Sequence, residues 1–233
     1  MKTIGIMQPY FFPYLGYWQL LSAVDQYVIY DDVNYIKGGW INRNRILVNG
    51  RPQYFNVILD GASPNKKINE IIIGNDERQK KKLLFTIQMN YKKAPFYDDV
   101  YPLLESAVAE MNGKLSAFLT GTIRMVSSYL GITTDLILSS ALEKDCNLSG
   151  QDRVIDICKR LEGEVYINPI GGTELYSKDC FKKNGIDLKF LKMDNIQYRQ
   201  YDNAFVPGLS IVDVMMFNSK DDINRMLNMY ELL

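Results

Sequence analysis

Residues 4–17, Ile4-Gly5-Ile6-Met7-Gln8-Pro9-Tyr10-Phe11-Phe12-Pro13-Tyr14-Leu15-Gly16-Tyr17, decide how this chain is read. An apolar run of strand character opens directly into a loop with two prolines, Gly16 and five aromatic residues. The prolines fix φ and remove backbone donors, Gly16 permits close backbone approach, and the aromatics are too many for a solvated connector. Trp18 to Val24 then reads as a helix, with Leu20, Leu21 and Val24 on one face. A buried strand thus hands over to a helix N-terminus. In α/β proteins that crevice binds small anionic ligands, because unpaired N–H groups and the helix dipole point into it. Two readings stay open. Gln8, Tyr10, Phe11, Tyr14, Gly16 and Tyr17 line a ligand, or the aromatics plug the core.

Working outward, Gln26 to Tyr30 is a β-branched and aromatic run that ends in Asp31-Asp32, a second buried strand delivering two acids to its C-terminal end. Polar, basic and aromatic residues alternate from Val33 to Arg45. Ile46 to Val48 and Gln53 to Leu59 flank Asn49-Gly50, which predicts an antiparallel hairpin with a type I′ turn. Gly61 to Asn69 has loop composition and is read as the end of this first region. From residue 76 to 130 apolar residues recur at helical spacing in three blocks, 81–91, 97–111 and 114–130, with Asn112-Gly113 as a stop. These blocks predict a helical insertion or lid. Asp135 to Leu138, Val165 to Asn168 and Asp187 to Leu191 return to strand character, separated by a helix over 151–161 and a helix end at Asn184-Gly185. Strand and helix alternation around the helical lobe predicts a single α/β domain over 1–233, Rossmann-like, with a mostly parallel sheet.

The 27 basic and 27 acidic residues cancel, so no overall field draws in nucleic acid or an anionic membrane, and nucleic acid is not the expected partner. No apolar run approaches a bilayer span and no charged-then-apolar N-terminal signal is present, so a cytoplasmic protein is expected. Cys146, Cys158 and Cys180 lack the spacing of a zinc or redox pair and are read as packing residues. The chain has no histidine, which removes His-based triads, His metal ligands and imidazole acid/base catalysis. No metal site is expected.

Three loops follow strand C-termini: Gln8 to Tyr17, Asp31 to Arg45 and Asn168 to Thr173. In a parallel sheet they converge on one edge, the usual ligand edge. Asp31 and Asp32 are candidate bases for an amine, or caps of the following turn. Arg43 offers a planar fork to an anion or forms a structural salt bridge, Arg45 favours the structural role, and Lys37 is a mobile point charge. Trp40 adds an aromatic face, and Asn42 and Asn44 add directional hydrogen bonds. Gly171-Gly172 lets N–H groups turn toward phosphate or carboxylate oxygens, or makes an ordinary turn. A GxGxxG fingerprint and a Walker loop are both missing. Ser210, with Asp213 three residues on, reads as a capping-box-like helix start.

The stretches Met7 to Tyr17, Tyr30 to Lys37, Trp40 to Arg45 and Leu209-Ser210-Ile211-Val212-Asp213 resemble the WbqC-like protein family along essentially the whole chain. The resemblance implies a bacterial gene cluster for O-antigen, the polysaccharide of lipopolysaccharide, or another surface polysaccharide. It also implies a transferase placing an amino-acyl group such as glycyl on a nucleotide-linked amino sugar. On that expectation Tyr10, Phe11, Tyr14 and Tyr17 stack on sugar or base, and Lys37 and Arg43 hold the pyrophosphate. Asp31 or Asp32 takes the amine proton, and Asn42 or Asn44 orients the acyl carbonyl. The donor is an acyl-adenylate made with ATP and Mg²⁺, a thioester on an acyl carrier protein docked at Lys80-Lys81-Lys82, or an aminoacyl-tRNA. A non-catalytic sugar-nucleotide-binding subunit is the rival expectation. More distantly, a strand followed by Pro-x-x-Gly-Tyr at a helix start is similar to nucleotidylyltransferase-like and pantothenate-synthetase-like folds (the HUP class), which bind ATP through histidines. Here Pro13 and Gly16-Tyr17 stand where those histidines are expected.

Overall fold

Strand and helix alternate at both ends of the chain, and the computed structural model, which describes residues 1–202 and 204–233, gathers those strands into one sheet. From the N-terminus, β1 (Thr3–Met7), α1 (Leu15–Ser22) and β2 (Gln26–Ile29) lead into a hairpin of β3 (Arg43–Val48) and β4 (Arg51–Asn56). A short pair, β5 (Leu59–Asp60) with β6 (Ile72–Ile73), precedes α2 (Glu77–Tyr91), α3 (Tyr97–Ala109) and α4 (Leu115–Leu130). Then follow β7 (Asp135–Leu138), α5 (Gly150–Arg160), β8 (Val165–Pro169), α6 (Lys178–Lys183) and β9 (Asp187–Met193). The chain closes with α7 (Ile211–Phe217), α8 (Lys220–Leu227) and β10 (Tyr230–Leu232).

The sheet order is β10-β9-β8-β1-β2-β7, parallel throughout except for β10, which runs antiparallel to β9. Numbering only the parallel strands along the chain gives the order 3-2-1-4-5, that of a Rossmann-like α/β fold. The direction of winding reverses between β1 and β8. Their C-terminal ends therefore flank the switch-point crevice.

Both faces of the sheet are buried, which is why its strands read as continuous apolar runs. Ile4, Ile6, Val28, Tyr166, Leu188 and Phe190 pack with Val154, Ile157 and Phe181 of α5 and α6. Tyr27, Ile29, Val165, Ile167 and Leu191 face α1 and the helices inserted between β2 and β7. Those three helices share that core through Leu83, Ile87, Tyr91, Val100, Leu104, Leu119 and Ile123.

Several boundaries differ from the sequence reading. The Asn49-Gly50 turn has both φ values positive, 52° and 72°, as a type I′ turn needs, but β3 begins already at Arg43 and β4 stops at Asn56. Leu59 leaves the hairpin to pair with Ile73. Residues 61–69 do not end the region: Ile68 N–H donates to Val33 O and Tyr35 N–H to Lys66 O, tying the loop to the segment after β2. Sequence reading assigned neither α8 nor β10. Only Ile223 and Leu227 of α8 are buried, and β10 is a half-exposed edge whose structure comes from pairing with distant β9. Among the described residues no helix is long and apolar enough to cross a membrane.

Gly163 lies against β1, and a Cβ there would stand 2.4 Å from Ile4 Cγ1. Ile4 is fully buried and has no room to retreat, so Gly163→Ala should destabilise the fold by about 1–3 kcal/mol. Urea unfolding checks this, with the midpoint falling and the slope unchanged.

Candidate functional site at the switch point

Parallel pairing sets what meets at the crevice. Gly5 of β1 is level with Ile167 of β8, so the chain reaches Gln8 on one side as it reaches Ile170 and the Gly171-Gly172 turn on the other. Across β1's other edge Tyr30 N–H donates to Met7 O at 2.8 Å, which brings Tyr30-Asp31-Asp32 alongside.

The loop after β1 has one residue in an unfavourable conformation. Phe12 has φ 42°, in the left-handed region that a bulky side chain seldom occupies. Its carbonyl accepts Asn44 Nδ2 at 2.8 Å and Ser210 Oγ at 2.7 Å, and Asn44 Nδ2 also reaches Phe11 O at 3.2 Å. Pro13 O accepts Trp18 Nε1 at 3.0 Å and the Ile211 N–H at 2.9 Å. Phe11 N–H donates to Trp40 O at 3.2 Å. Three separated sequence motifs thus hold one loop.

Of the loop aromatics, Phe11 and Tyr17 are taken into the core. Phe11 packs on Phe12 and Phe55, each at 4.9 Å between centroids, while Tyr17 donates its hydroxyl to Gln8 O at 3.2 Å. Tyr10 and Tyr14 remain partly exposed, as does Gln8. Plug and lining are therefore both present, on different residues. Gly16 is required by the Tyr14 ring, since a Cβ there would stand 2.5 Å from Tyr14 Cε2. Burial raises the phenol pKa of Tyr10, helped by Tyr14, and that of Tyr14 as well. Both stay protonated at neutral pH, so each hydroxyl keeps a hydrogen to donate.

Across the crevice, Gly171 and Gly172 differ. A Cβ on Gly172 would stand 2.0 Å from Asn168 Oδ1, whereas at Gly171 nothing lies within 4 Å. Packing explains Gly172; Gly171 turns a bare Cα to open space.

Asp31 and Asp32 are both buried and both engaged. Asp31 accepts from Ser140 N–H at 2.9 Å and Ser140 Oγ at 2.8 Å, tying the end of β2 to the end of β7. Asp32 Oδ2 pairs with Lys144 Nζ at 2.8 Å and Arg153 Nη2 at 2.5 Å. Burial disfavours its charge, but hydrogen bonding and the two cations outweigh that and hold its carboxyl below the usual carboxylate range. Asn42 is likewise occupied: it accepts Tyr35 Oη at 2.8 Å and donates to Val57 O at 2.9 Å. Lys37, Trp40 and Arg43 stand on the outer side of the hairpin region, with Arg43 bonded to the carbonyls of Gly38 and Gly39 and Arg45 to that of Gly208. Neither arginine forms a salt bridge among the described residues.

Sequence reasoning missed Lys144 and Arg153, which look like any solvated cation until the fold brings them to Asp32. It also missed the partners of Asp213. Ser210 does cap α7, accepting from Val212 N–H at 3.2 Å, but Asp213 is no capping residue. Its buried carboxylate accepts Tyr91 Oη and Tyr198 Oη at 2.7 Å each and Gln200 Nε2 at 2.8 Å. Burial raises its pKa against those hydrogen bonds. Burial also pushes the Cys158 thiol up to about 12, so it packs and does not react.

The profile of the WbqC-like protein family matches residues 8–225, from the clamped loop to α8. This chain belongs to the WbqC-like family. This WbqC-like protein is 26% identical over 221 residues to the uncharacterized protein Rv1507c of Mycobacterium tuberculosis, covering 94% of each chain. No solved structure matches it. The stretches that carried the resemblance turn out to be spatial neighbours: Phe12, Asn44 and Ser210 meet at one carbonyl.

Two outcomes follow from this geometry. Asn44→Ala and Ser210→Ala should each destabilise the WbqC-like fold by about 1–3 kcal/mol. Because both bind Phe12 O, a double-mutant cycle should give coupling of at least about 0.5 kcal/mol by urea unfolding. The Asp32 ion pair contributes stability that is complete above the unfolded carboxyl value and is lost as pH falls through the lower native one. In Asp32→Asn that part of the acid limb should vanish from Tm against pH, with Tm lower at neutral pH because Lys144 is left buried without its anion.

Proposed function

We propose that this WbqC-like protein is an N-acyltransferase that places an amino-acyl group, glycyl in the simplest case, on the amine of a nucleotide-linked 4-amino-4,6-dideoxyhexose destined for a surface polysaccharide. One observation carries the reading: two partly exposed, neutral tyrosines, Tyr10 and Tyr14, stand on a clamped loop at the Rossmann switch point, with the open Gly171 turn across the crevice. Flat aromatic faces suit a pyranose ring or a base, and phenol hydroxyls suit the oxyanion that forms as an amine attacks an acyl carbonyl. A bare glycine Cα lets the backbone approach a pyrophosphate.

Within this reading Asp31, both of whose oxygens bind Ser140, and Asp32, whose Oδ2 binds Lys144 and Arg153 while its buried Oδ1 has no partner among the described residues, hold the β2–β7 end in shape rather than acting as bases. Asn44 acts through the loop it clamps. Tyr14 lies over Gly16 and Tyr17 is buried, so the start of α1 does not present the phosphate seat that ATP takes in nucleotidylyltransferase-like folds, and no step through ATP enters. The engaged carboxylates also favour a second reading, a sugar-nucleotide-binding subunit without turnover.

The test is thermal unfolding with a dTDP-4-amino-4,6-dideoxyhexose, followed by turnover with aminoacyl donors. At about 100 times Kd the sugar nucleotide should stabilise the native protein by about 2.7 kcal/mol, and Tyr10→Ala should abolish that gain. Binding without turnover would move the assignment to the second reading; no binding would remove both. Asp31→Asn should lower Tm as well as rate, whereas a loss of kcat alone at unchanged Tm would restore the carboxylate as base.

A further inference from the structure

The crevice leaves the outer face of the β3–β4 hairpin without a role, and that face is unusual in charge. From Val33 to Leu59 the chain has no Asp or Glu but carries Lys37, Arg43, Arg45 and Arg51. Arg43 and Arg45 fall on the same face of β3, and Arg45 is level with Tyr54 of β4. The Arg43 guanidinium lies 4.4 Å over the Tyr54 ring and that of Arg45 lies 5.5 Å over the Trp40 ring. The two rings are 6.2 Å apart and tilted by 35°. Trp40 is 39% and Tyr54 55% exposed. Both guanidiniums are anchored on backbone carbonyls only, and Arg45 Nε is buried with no partner among the described residues. Beyond Tyr54 a groove of about 450 Å³ runs between β4 and α2, lined by Asn56, Arg78, Gln79 and Lys82. Its acid, Asp76, is spent capping α2 through Arg78 N–H and Gln79 N–H.

We infer that this face docks the single-stranded end of a nucleic acid, with bases on Trp40 and Tyr54 and phosphates on Arg43, Arg45 and the groove cations. Exposed aromatic rings interleaved with guanidiniums that have no carboxylate partner are the chemistry of single-strand binding, because every base has a face to stack and every linkage a charge to neutralise. A duplex hides its base faces. A free nucleotide takes an enclosing pocket, whereas this surface is open and continues into a groove. Net charge concealed the arrangement, because a whole-chain sum averages out a local segregation. Trp40 O accepts the Phe11 N–H, so the face adjoins the loop at the crevice.

Taken with the proposed acyl transfer, on which this last step rests, the nucleic acid carries the acyl group as an ester of its terminal ribose. The sugar amine attacks the ester carbonyl carbon, a C–N bond forms and the C–O bond breaks. The ribose oxygen leaves and ends with the proton the amine gives up. No oxidant and no nucleotide hydrolysis is needed.

Titration of the full chain with a single-stranded RNA of about eight nucleotides, read by tryptophan fluorescence, tests the docking. Trp40 reports it, since Trp18 is fully buried. Binding should weaken steeply between about 50 and about 200 mM salt. Trp40→Ala, followed by anisotropy of labelled RNA, and Tyr54→Ala should each weaken it roughly 5- to 150-fold, while Trp40→Phe retains most of it. Absence of binding at low salt, equal affinity for the same sequence as duplex, or unchanged affinity in Trp40→Ala/Tyr54→Ala with native Tm would overturn the inference. Sugar-nucleotide binding is measured on the same variants. If it persists while RNA fails to bind, the crevice reading stands alone; if it is absent while RNA binds, the crevice reading falls and the hairpin assignment survives.

Discussion

The carbonyl oxygen of Phe12 is the point on which the site depends. A phenylalanine with φ 42° carries backbone strain that its surroundings must offset. Asn44 comes to it from β3 and Ser210 from the start of α7, each within 2.8 Å. Pro13 O, one residue on, is bound by Trp18 and by the backbone of Ile211. The strained residue therefore fixes where β1 ends, how α1 begins, and where the hairpin and α7 sit against them. Phe11 and Tyr17 fill the space beneath, leaving Tyr10 and Tyr14 partly exposed above.

Around this clamp the sheet supplies position and the β2–β7 end supplies charge balance. Asp31 and Asp32 are consecutive residues with different neighbours: one is held by Ser140, just past the end of the neighbouring strand β7, the other, through Oδ2 alone, by a lysine and an arginine. A pair of acids at a strand end is thus consistent with two structural duties. Asp213 is a third buried carboxylate, held by two phenols and an amide instead of a cation. It joins α7 to α2 through Tyr91, whose hydroxyl also accepts the Leu47 N–H of β3. With no cation among its partners, burial raises its pKa, whereas Asp32, beside two cations, has a lowered one.

The α/β class and the mostly parallel sheet were legible because both faces of the strands are apolar and the strands alternate with helices at both ends. The loop at residues 8–17 was legible as special because its composition is wrong for a connector. Its internal division was not, since nothing local separates Phe11, which meets Phe55 and Phe118, from Tyr10, which does not. Lys144, Arg153 and the partners of Asp213 were hidden for the same reason: their roles are set by contacts across 13 to 122 residues of chain. The end of α8 and the strand β10 depend on distant partners too. Asn42 and Asn44 illustrate the limit well. Both were singled out as polar groups in an aromatic setting, and only the fold assigns one to Tyr35 and Val57 and the other to Phe11 and Phe12.

The bond between Ser210 and Phe12 spans 198 residues. Contacts of such long sequence separation form late, because the loop they close must first lose its entropy. The β1 loop is synthesised first and can be held in its final shape only after α7 has docked. Until then the aromatics at its centre are exposed and the left-handed turn is unsupported. The shape of the β1 loop is in this sense a measure of completed folding: a chain stalled or cut before Ser210 would lack one of the two side chains that clamp Phe12 O.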